Sequence, residues 1–423
     1  EVKKRLKIDI KSFITTPYGA TIFQIFLLFI SFFLPPEVYE YYVKEPNYMF
    51  MNFSMFSFVL LCVLYYYIGV FIFRFKPILN LDPLSKVQIP PAFIKFIALI
   101  NILLCFLYLF LIFYYLSQYL QISPIDIVKG KGQYIKDYLG SAVIIPYRLG
   151  GLLILSLVLQ IFVCYYYYYA FYLGINTLTK YFYVSSAVFI ITSILSVNRP
   201  VLFIYLISWF LIYTFFKNRV DLIKNLTGLF LVIIVLFIIV SLIREGKINL
   251  TFLLDRLFGY TIAAYNRLAL ILSGDLSYVK AGIPANFYLL PVLKIPLTDL
   301  VFHDIREYSR ISLETVGSAG LNSSYNMATL FGGIYQAVGI ATPLYFFFLG
   351  VIGSRLYIAF KRRHPFGILF YPLFYASVAF WMIDVNMFFF FFSHFIISYI
   401  AFAVILILYK IIASLTNKRV ELK

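Results

Sequence analysis

Charged residues are scarce in this sequence: lysine, arginine, aspartate and glutamate make up 13% of 423 positions, whereas hydrophobic residues make up 63%. A water-soluble protein of this length needs charged side chains over its whole surface, and this sequence does not supply them. Apolar stretches of about 18 or more residues are long enough to cross about 30 Å of hydrocarbon as helices. The composition therefore predicts an all-α, polytopic membrane protein and argues against a soluble globular fold.

Cysteine and histidine are also rare, with three residues of each. All three cysteines, Cys62, Cys105 and Cys164, fall within apolar stretches, which favours buried, unreactive thiols over disulfides or a zinc site. The sequence contains no metal-ligand spacing, nucleophile elbow, dinucleotide-binding glycines or nucleotide-binding loop. We therefore predict neither a metal site nor a cofactor.

About ten apolar segments are predicted to span the membrane, within a single membrane domain that covers residues 1–423. The first segment lacks the small-residue cleavage site of a signal peptide and is followed by Pro35-Pro36-Glu37, so we expect it to be retained. The predicted spans are 19–36, 51–73, 92–117, 149–174, 181–197, 200–216, 226–243, 328–360, 366–383 and 387–412.

Basic residues outnumber acidic residues by 35 to 18, which gives a net charge of +17. When the amino terminus is placed inside, 20 of the 35 lysines and arginines lie in inner segments or the tail, as the positive-inside rule requires. Membrane topology thus explains much of the positive charge, and no nucleic-acid partner is needed. Both termini are predicted to be cytoplasmic.

A long outer loop is predicted at residues 244–327, and it carries eight lysines and arginines. Loops of this length translocate largely regardless of charge, so topology does not account for these cations. Arg256 and Arg267 are about three helical turns apart within a predicted helix at 251–273, with Tyr260 on the same face. That helix either lies on the membrane surface, with its arginines reaching the headgroups, or turns a cationic face inward over a cavity.

Arg199 lies in the short outer turn between two predicted spans, at the expected outer mouth of the bundle. It is either an interfacial anchor or part of a phosphate-binding site that also uses arginines of the long loop, such as Arg310. Arginine suits that role because its guanidinium binds phosphate in a bidentate manner. The segment Lys129-Gly130-Lys131-Gly132, in contrast, lacks the context of a phosphate-binding loop and is predicted to be a flexible turn.

Candidate acid–base groups cluster at residues 301–314 of the long loop and include His303 and Glu314. A histidine with a near-neutral pKa can accept a proton from a hydroxyl group, although a lone loop histidine is equally compatible with no catalytic role. Directly after the loop, Asn326 and Thr329 begin a polar, small-residue helical face. That face serves either close helix packing or the lining of a site.

The chain resembles the Wzy-type O-antigen and oligosaccharide repeat-unit polymerases in the pattern Asn326-x-x-Thr329-x-x-Gly332-x-x-Tyr335-x-x-x-Gly339, directly after a long outer loop. The arginine-bearing turn and the overall layout are similar to that family as well. The related O-antigen ligases share the layout and often have a histidine beside the asparagine at the loop-to-helix junction. This sequence has Tyr325 in that place, which favours a polymerase over a ligase.

The resemblance implies an inverting glycosyltransferase with a GT-C-like fold in the cytoplasmic (inner) membrane. Such an enzyme joins undecaprenyl-pyrophosphate-linked repeat units into a surface polysaccharide on the outer face of that membrane. Its implied partners are the lipid-linked donor and acceptor, the bilayer and a chain-length regulator protein. An O-antigen-type ligase and a flippase or transporter of lipid-linked oligosaccharide remain alternatives.

The resemblance and the residue types together give a set of predicted site residues. The predicted catalytic residues are His303, Glu314 and Asn326, and the predicted substrate-binding residues are Arg199, Arg256, Tyr260, Arg267, Arg310, Thr329 and Tyr335. We further expect Arg199→Ala or Arg267→Ala to leave the protein folded while abolishing polysaccharide chain growth.

Overall fold

Helices account for all regular structure in the described part of the chain, and no described residue lies in a strand. The computed structural model describes residues 13–72, 90–132, 134, 150–216, 222–246, 250–277, 313–325, 329–381, 400–407 and 411. The all-α prediction is therefore confirmed. The principal helices are α1 (Ile22–Phe33), α2 (Pro36–Val43), α3 (Phe53–Ile72), α4 (Pro91–Leu120), α5 (Gly150–Tyr172), α6 (Thr179–Leu195), α7 (Arg199–Phe216), α8 (Leu222–Glu245), α9 (Leu250–Thr261), α10 (Ala263–Ser273), α11 (Leu313–Ser318), α12 (Leu330–Val338), α13 (Thr342–Lys361) and α14 (Pro365–Ala379).

Five helices of the described chain are long and apolar enough to cross a membrane. A sixth candidate is the pair Gly19–Phe33 and Pro36–Val43, whose axes bend by 107°. Pro35 and Pro36 cause this bend, because proline at the start of α2 cannot continue the hydrogen-bond ladder of α1. Three shorter apolar helices are Thr179–Leu195, Thr227–Ile243 and Pro365–Ala379. These helices fit a membrane protein.

The chain divides into two compact units, which are described separately below. The first unit comprises residues 1–80, 248–362 and 373–393, and the second comprises residues 81–247, 363–372 and 394–423. Their boundary at Pro372 falls inside α14, where the proline interrupts the helical hydrogen bonds.

Close backbone contact between α3 and α13 forms the centre of the first unit. A β-carbon at Gly69 would lie 2.1 Å from the carbonyl oxygen of Phe347, and one at Gly350 would lie 2.1 Å from that of Tyr66. No side chain fits at either distance, so both helices need glycine at the contact. Small residues permit such close approach of two apolar helices, which gains dispersion energy that lipid tails cannot provide.

Helices α12 and α13 form a hairpin around Gly339, whereas the sequence predicted one continuous span over residues 328–360. The rings of Phe331 and Phe346 stack with their centroids 4.8 Å apart. A continuous helix would separate two residues fifteen positions apart by about 22 Å. Gly339 allows the reversal because its φ of 57° and ψ of −131° are unfavourable for residues with a β-carbon. The prediction of a single span here was wrong.

The predicted helix at 251–273 is divided at Ile262 into α9 and α10. All nine residues from Ala263 to Ile271 are buried, so α10 lies in the interior of the first unit. There the hydroxyl of Tyr265 donates hydrogen bonds to the backbone and side-chain oxygens of Gln24, at 3.3 and 3.2 Å. The alternative of an amphipathic helix on the membrane surface is therefore wrong for α10.

A polar network crosses the apolar helices of the second unit. Asn101 on α4 donates to Gln160 on α5 at 2.7 Å, and Gln160 donates to Ser186 on α6 at 2.8 Å. The hydroxyl of Tyr205 on α7 donates to the same serine at 2.9 Å. Hydrogen bonds of this kind contribute about 0.6–2 kcal/mol each between apolar helices and fix which faces meet.

Candidate functional site

A buried ion pair between Glu45 and Arg267 lies at the centre of the candidate site in the first unit. Glu45 lies in the segment that joins α2 to α3, and Arg267 lies on α10. The two guanidinium nitrogens of Arg267 contact the two carboxylate oxygens at 2.8 and 2.9 Å, and both side chains are fully buried. Bidentate geometry of this kind gives the strongest form of charge-assisted hydrogen bond.

Three further donors complete the environment of the Glu45 carboxylate. The hydroxyl of Tyr39 and the side-chain amide of Asn266 donate to one oxygen, the amide at 3.1 Å. The backbone N–H of Asn322 donates to the other at 2.8 Å. A buried charge is tolerated when its partner and hydrogen bonds replace water, as happens here. The ion pair thereby joins three chain segments that are far apart in sequence.

The local sequence explains why Glu45 faces the interior. Helix α2 ends at Val43, and the next residue, Lys44, adopts a left-handed conformation with a φ of 60° that changes the direction of the chain. The side-chain oxygen of Asn47 then accepts hydrogen bonds from the backbone of Met49 and Phe50, at 3.0 and 3.1 Å. The side-chain oxygen of Asn266 accepts another from the backbone N–H of Tyr48, at 2.6 Å. These contacts hold the segment between α2 and α3 against α10.

Tyr325 forms a second cluster with residues of α9. Its hydroxyl donates to the carboxylate of Asp255 at 2.7 Å, and the Tyr260 ring meets its ring edge-on at a centroid distance of 5.8 Å. The guanidinium of Arg256 lies 5.8 Å from the centre of the Tyr325 ring, a cation–π arrangement. Gly259 leaves space for this ring, because a β-carbon there would lie 2.1–2.4 Å from its atoms.

Burial and the neighbouring Asp255 carboxylate raise the pKa of Tyr325 well above its usual value. Both effects disfavour the phenolate, by desolvation and by repulsion from a like charge. The phenol therefore stays protonated at neutral pH and acts as a hydrogen-bond donor.

One turn connects the two clusters. The backbone N–H of Tyr325 donates to the carbonyl oxygen of Asn322 at 3.0 Å, and that same carbonyl accepts a hydrogen bond from Arg267 at 3.2 Å. The structure thus brings Arg256, Tyr260 and Arg267 around the turn at residues 322–325, immediately before Asn326. Arg256 and Tyr260 are half-buried and Arg267 is fully buried, so only the first two can meet a ligand without rearrangement.

The other predicted site residues have separate positions. Thr329 is fully buried and caps α12, where its hydroxyl accepts the N–H of Gly332 at 3.1 Å. Tyr335 is half-buried and meets the Phe58 ring edge-on at 5.3 Å. Glu314 lies in α11, but its side chain is outside the description. His303, Arg310 and Asn326 lie outside the described residues.

Arg199 belongs to the second unit, at the start of α7. Its guanidinium donates to the hydroxyl of Ser241 at 3.0 Å and lies 4.8 Å from the centre of the Phe237 ring. Both contacts are on α8, so the side chain is held between two helix ends. No group of three or more potential metal ligands occurs among the residues that the structure describes.

The partner of Arg267 could hardly be predicted from the sequence. Asp255, an acidic residue near Arg267 in the sequence, instead accepts a hydrogen bond from the hydroxyl of Tyr325. Glu45 is 222 positions away from Arg267, in a short segment that carried no predicted role. The one available signal was an acidic residue between two predicted spans, and by itself it does not indicate a partner.

The sequence matches no family model, and comparison with curated proteins and with solved structures finds no match either.

Proposed function

We propose that the protein is a glycosyltransferase that polymerises oligosaccharide repeat units linked to undecaprenyl pyrophosphate. The observation that carries this proposal is the position of Arg256 and Tyr260. Both are half-buried and lie against Tyr325, one residue before the Asn326 pattern that resembles the repeat-unit polymerases. A cation beside aromatic rings suits a ligand that combines sugars with a pyrophosphate.

In the proposed reaction, an acceptor hydroxyl attacks the anomeric carbon of the donor glycan. The new glycosidic bond forms as the bond from that carbon to the pyrophosphate oxygen breaks, and the lipid pyrophosphate departs with both electrons. The hydroxyl proton passes to a base, for which His303 and Glu314 are the candidates, with Asn326 orienting the acceptor. Arg256 stabilises the charge that develops on the leaving pyrophosphate, a form of electrostatic preorganisation.

Arg267 has a different role in this proposal than the sequence suggested. Because Glu45 already neutralises its guanidinium, Arg267 holds the turn at residues 322–325 in place rather than binding pyrophosphate. Thr329 and Tyr335 then position and line the segment that follows the turn. Arg199 and Arg310 remain predicted phosphate contacts.

The number of membrane spans, the fold type and the membrane topology are part of the same proposal. About ten spans, a GT-C-like arrangement and a long extracytoplasmic loop at residues 244–327 agree with a polymerase in the cytoplasmic membrane with both termini inside. The lipid-linked donor and acceptor are the proposed partners, and a chain-length regulator protein is a further one. A ligase is the alternative within the same enzyme class.

A transporter of the same lipid-linked substrate is a second candidate, because the first unit contains interrupted helices. The bend of 107° between α1 and α2 and the hairpin around Gly339 are breaks of the kind that form substrate sites in transporters. Transporters usually repeat such breaks in a second half. The second unit shows no matching bent pair of helices among its described residues.

The test compares surface glycans and lipid-linked intermediates in the native host, with the gene deleted and then restored as variants. A polymerase predicts single repeat units in the deletion strain, and the same result for Arg256→Ala. Arg362→Ala is the matched control, because this exposed arginine lies at the predicted inner end of α13 in the same unit. We expect it to restore the full ladder.

The deletion strain also separates the alternatives. Full-length polymer retained on the lipid carrier would identify a ligase, and repeat units trapped on the inner leaflet would identify a flippase. A normal ladder in the Arg256→Ala strain, at wild-type protein level, would remove the role proposed for this arginine.

A further inference from the structure

The segment at residues 129–132, predicted to be a flexible turn, forms an ordered turn in the second unit. Ser123 and Asp126 cap the short helix Pro124–Asp126 that precedes it, with reciprocal hydrogen bonds at 3.2 and 3.0 Å. Lys131 returns to the Asp126 carboxylate at 3.1 Å. Gly130 has a φ of 100°, a conformation that glycine adopts without strain. The two glycines therefore shape the turn and hold its lysines in a defined place.

This lysine–glycine turn packs against two other chain segments. The N–H of Gly132 donates to the carbonyl oxygen of Ile243 near the end of α8, at 3.0 Å. A β-carbon at Gly132 would lie 2.7 Å from that oxygen and 2.9 Å from a methyl carbon of Val197. Val197 precedes Arg199 in the turn between α6 and α7. The lysine–glycine turn, the Arg199 turn and the end of α8 therefore meet at one end of the second unit.

Positive charge accumulates where these segments meet. Lys129 and Lys131 are exposed, and Arg199 is half-buried against Ser241 on α8. Asp126 offsets one of the three charges, and its pKa is lowered by hydrogen bonds from Ser123 and by Lys131, so it stays ionised. Arg244 and Glu245, at the end of α8, add one charge of each sign. The end of a helix itself attracts cations, and Lys129, Lys131 and Arg199 lie on segments that meet at the end of α8.

We propose that the lysine–glycine turn and Arg199 form a binding site for the phosphate group of a lipid. Helices α4 and α7 are both candidate membrane spans, and each has one end at this place, so the site lies at the predicted level of lipid headgroups. Arg199 provides a planar guanidinium for phosphate oxygens, and the lysines provide charges around it. A phospholipid headgroup and a polyprenyl pyrophosphate share the required chemistry.

The test measures lipid binding to the purified full chain in uncharged detergent micelles by native mass spectrometry. The probes are phosphatidylglycerol and farnesyl pyrophosphate, with zwitterionic phosphatidylcholine as the reference. We expect the double variant K129Q/K131Q to weaken binding of an anionic probe about five-fold for each charge removed. Arg199→Gln should weaken it at least as much.

Lys180→Gln is the matched control, because Lys180 is exposed near the start of α6, at the other end of that helix from Val197. Tighter binding of farnesyl pyrophosphate than of phosphatidylglycerol would identify a polyprenyl pyrophosphate as the ligand. Equal affinity for the two probes would identify phospholipid headgroups of the bilayer as the ligand. The proposal fails if the double variant binds like Lys180→Gln, or if the wild type binds both anionic probes no better than phosphatidylcholine.

This site shares Arg199 with the polymerase proposal, but the two can fail separately. Lost lipid binding with a normal glycan ladder would leave the site without a role in chain growth. Unchanged lipid binding in K129Q/K131Q would overturn the site, whatever the ladder shows. Thermal unfolding of each variant shows whether loss of binding reflects loss of the fold.

Discussion

At the scale of single residues, the Glu45–Arg267 pair predicts how substitutions affect stability. Arg267→Ala leaves the Glu45 carboxylate buried without its counter-charge, and the loss of one partner of a buried pair costs about 3–5 kcal/mol. We therefore expect this variant to unfold at a clearly lower temperature than the wild type in detergent. This revises the expectation from sequence that Arg267→Ala stays folded and only loses activity.

The double variant E45Q/R267M controls for that interpretation, because it removes both charges and keeps a side-chain oxygen that accepts hydrogen bonds from Tyr39 and Asn266. No unpaired charge is then left buried, so the double variant should recover much of the lost stability. Arg267→Ala with a wild-type unfolding temperature would contradict the importance of the pair. Arg267→Lys should be intermediate at best, since lysine cannot form two parallel hydrogen bonds.

At the same scale, the sequence could identify some residues of the candidate site but not the residues that contact them. Arg256, Tyr260 and Arg267 could be selected in advance because the two arginines lie about three helical turns apart in a predicted outer loop, with Tyr260 on the same face. The residues that contact them in the folded protein could not be identified in advance. Glu45 and Asn322 contact Arg267 through turns whose positions depend on tertiary packing, and periodicity contains no information about that packing.

At the scale of secondary-structure elements, the contact of α3 with α13 gives a second prediction. Gly350→Ala places a β-carbon 2.1 Å from the carbonyl oxygen of Tyr66, so the two helices must separate. Overpacking of this kind typically costs about 1–3 kcal/mol. We expect a lower unfolding temperature, measured in detergent by intrinsic fluorescence.

Gly228→Ala is the matched control in α8, because nothing lies within 4 Å of the added β-carbon there. Alanine is the better helix former by about 1 kcal/mol, so this variant should be as stable as the wild type or slightly more stable. Equal effects of the two substitutions would argue against a close contact between α3 and α13.

Hydropathy predicted the positions of most long helices well, but it did not predict where the chain reverses between two apolar helices. Helix α3 occupies Phe53–Ile72, where the sequence indicated 51–73, and α7 occupies Arg199–Phe216, where it indicated 200–216. The hairpin of α12 and α13 was missed because both helices are apolar and the joint contains no charge. Gly339 was the available signal, but glycine also occurs within straight helices of membrane proteins.

At the scale of the whole molecule, the predicted topology can be tested by cysteine labelling. The native Cys62, Cys105 and Cys164 are buried, so their background reaction should be low. With a membrane-impermeant maleimide on intact cells, Lys129→Cys and Ser323→Cys should react.

Lys180→Cys and Arg362→Cys are exposed controls on the predicted inner side, and we expect them to react only after the cells are opened. The reverse pattern would invert the orientation. Reaction of Lys129→Cys and Lys180→Cys from the same side would contradict the alternation of spans, on which the placement of the long loop depends.

The ion pair at Glu45 also has a consequence for biosynthesis. Its counter-charge Arg267 follows it by 222 positions, so a ribosome that adds about 5–20 residues per second reaches it only about 11–44 s later. During that interval the Glu45 carboxylate has no counter-charge. We expect the first unit to complete its folding late, after residues 81–247 of the second unit have been synthesised, and insertase or chaperone contacts to concentrate on the early segment.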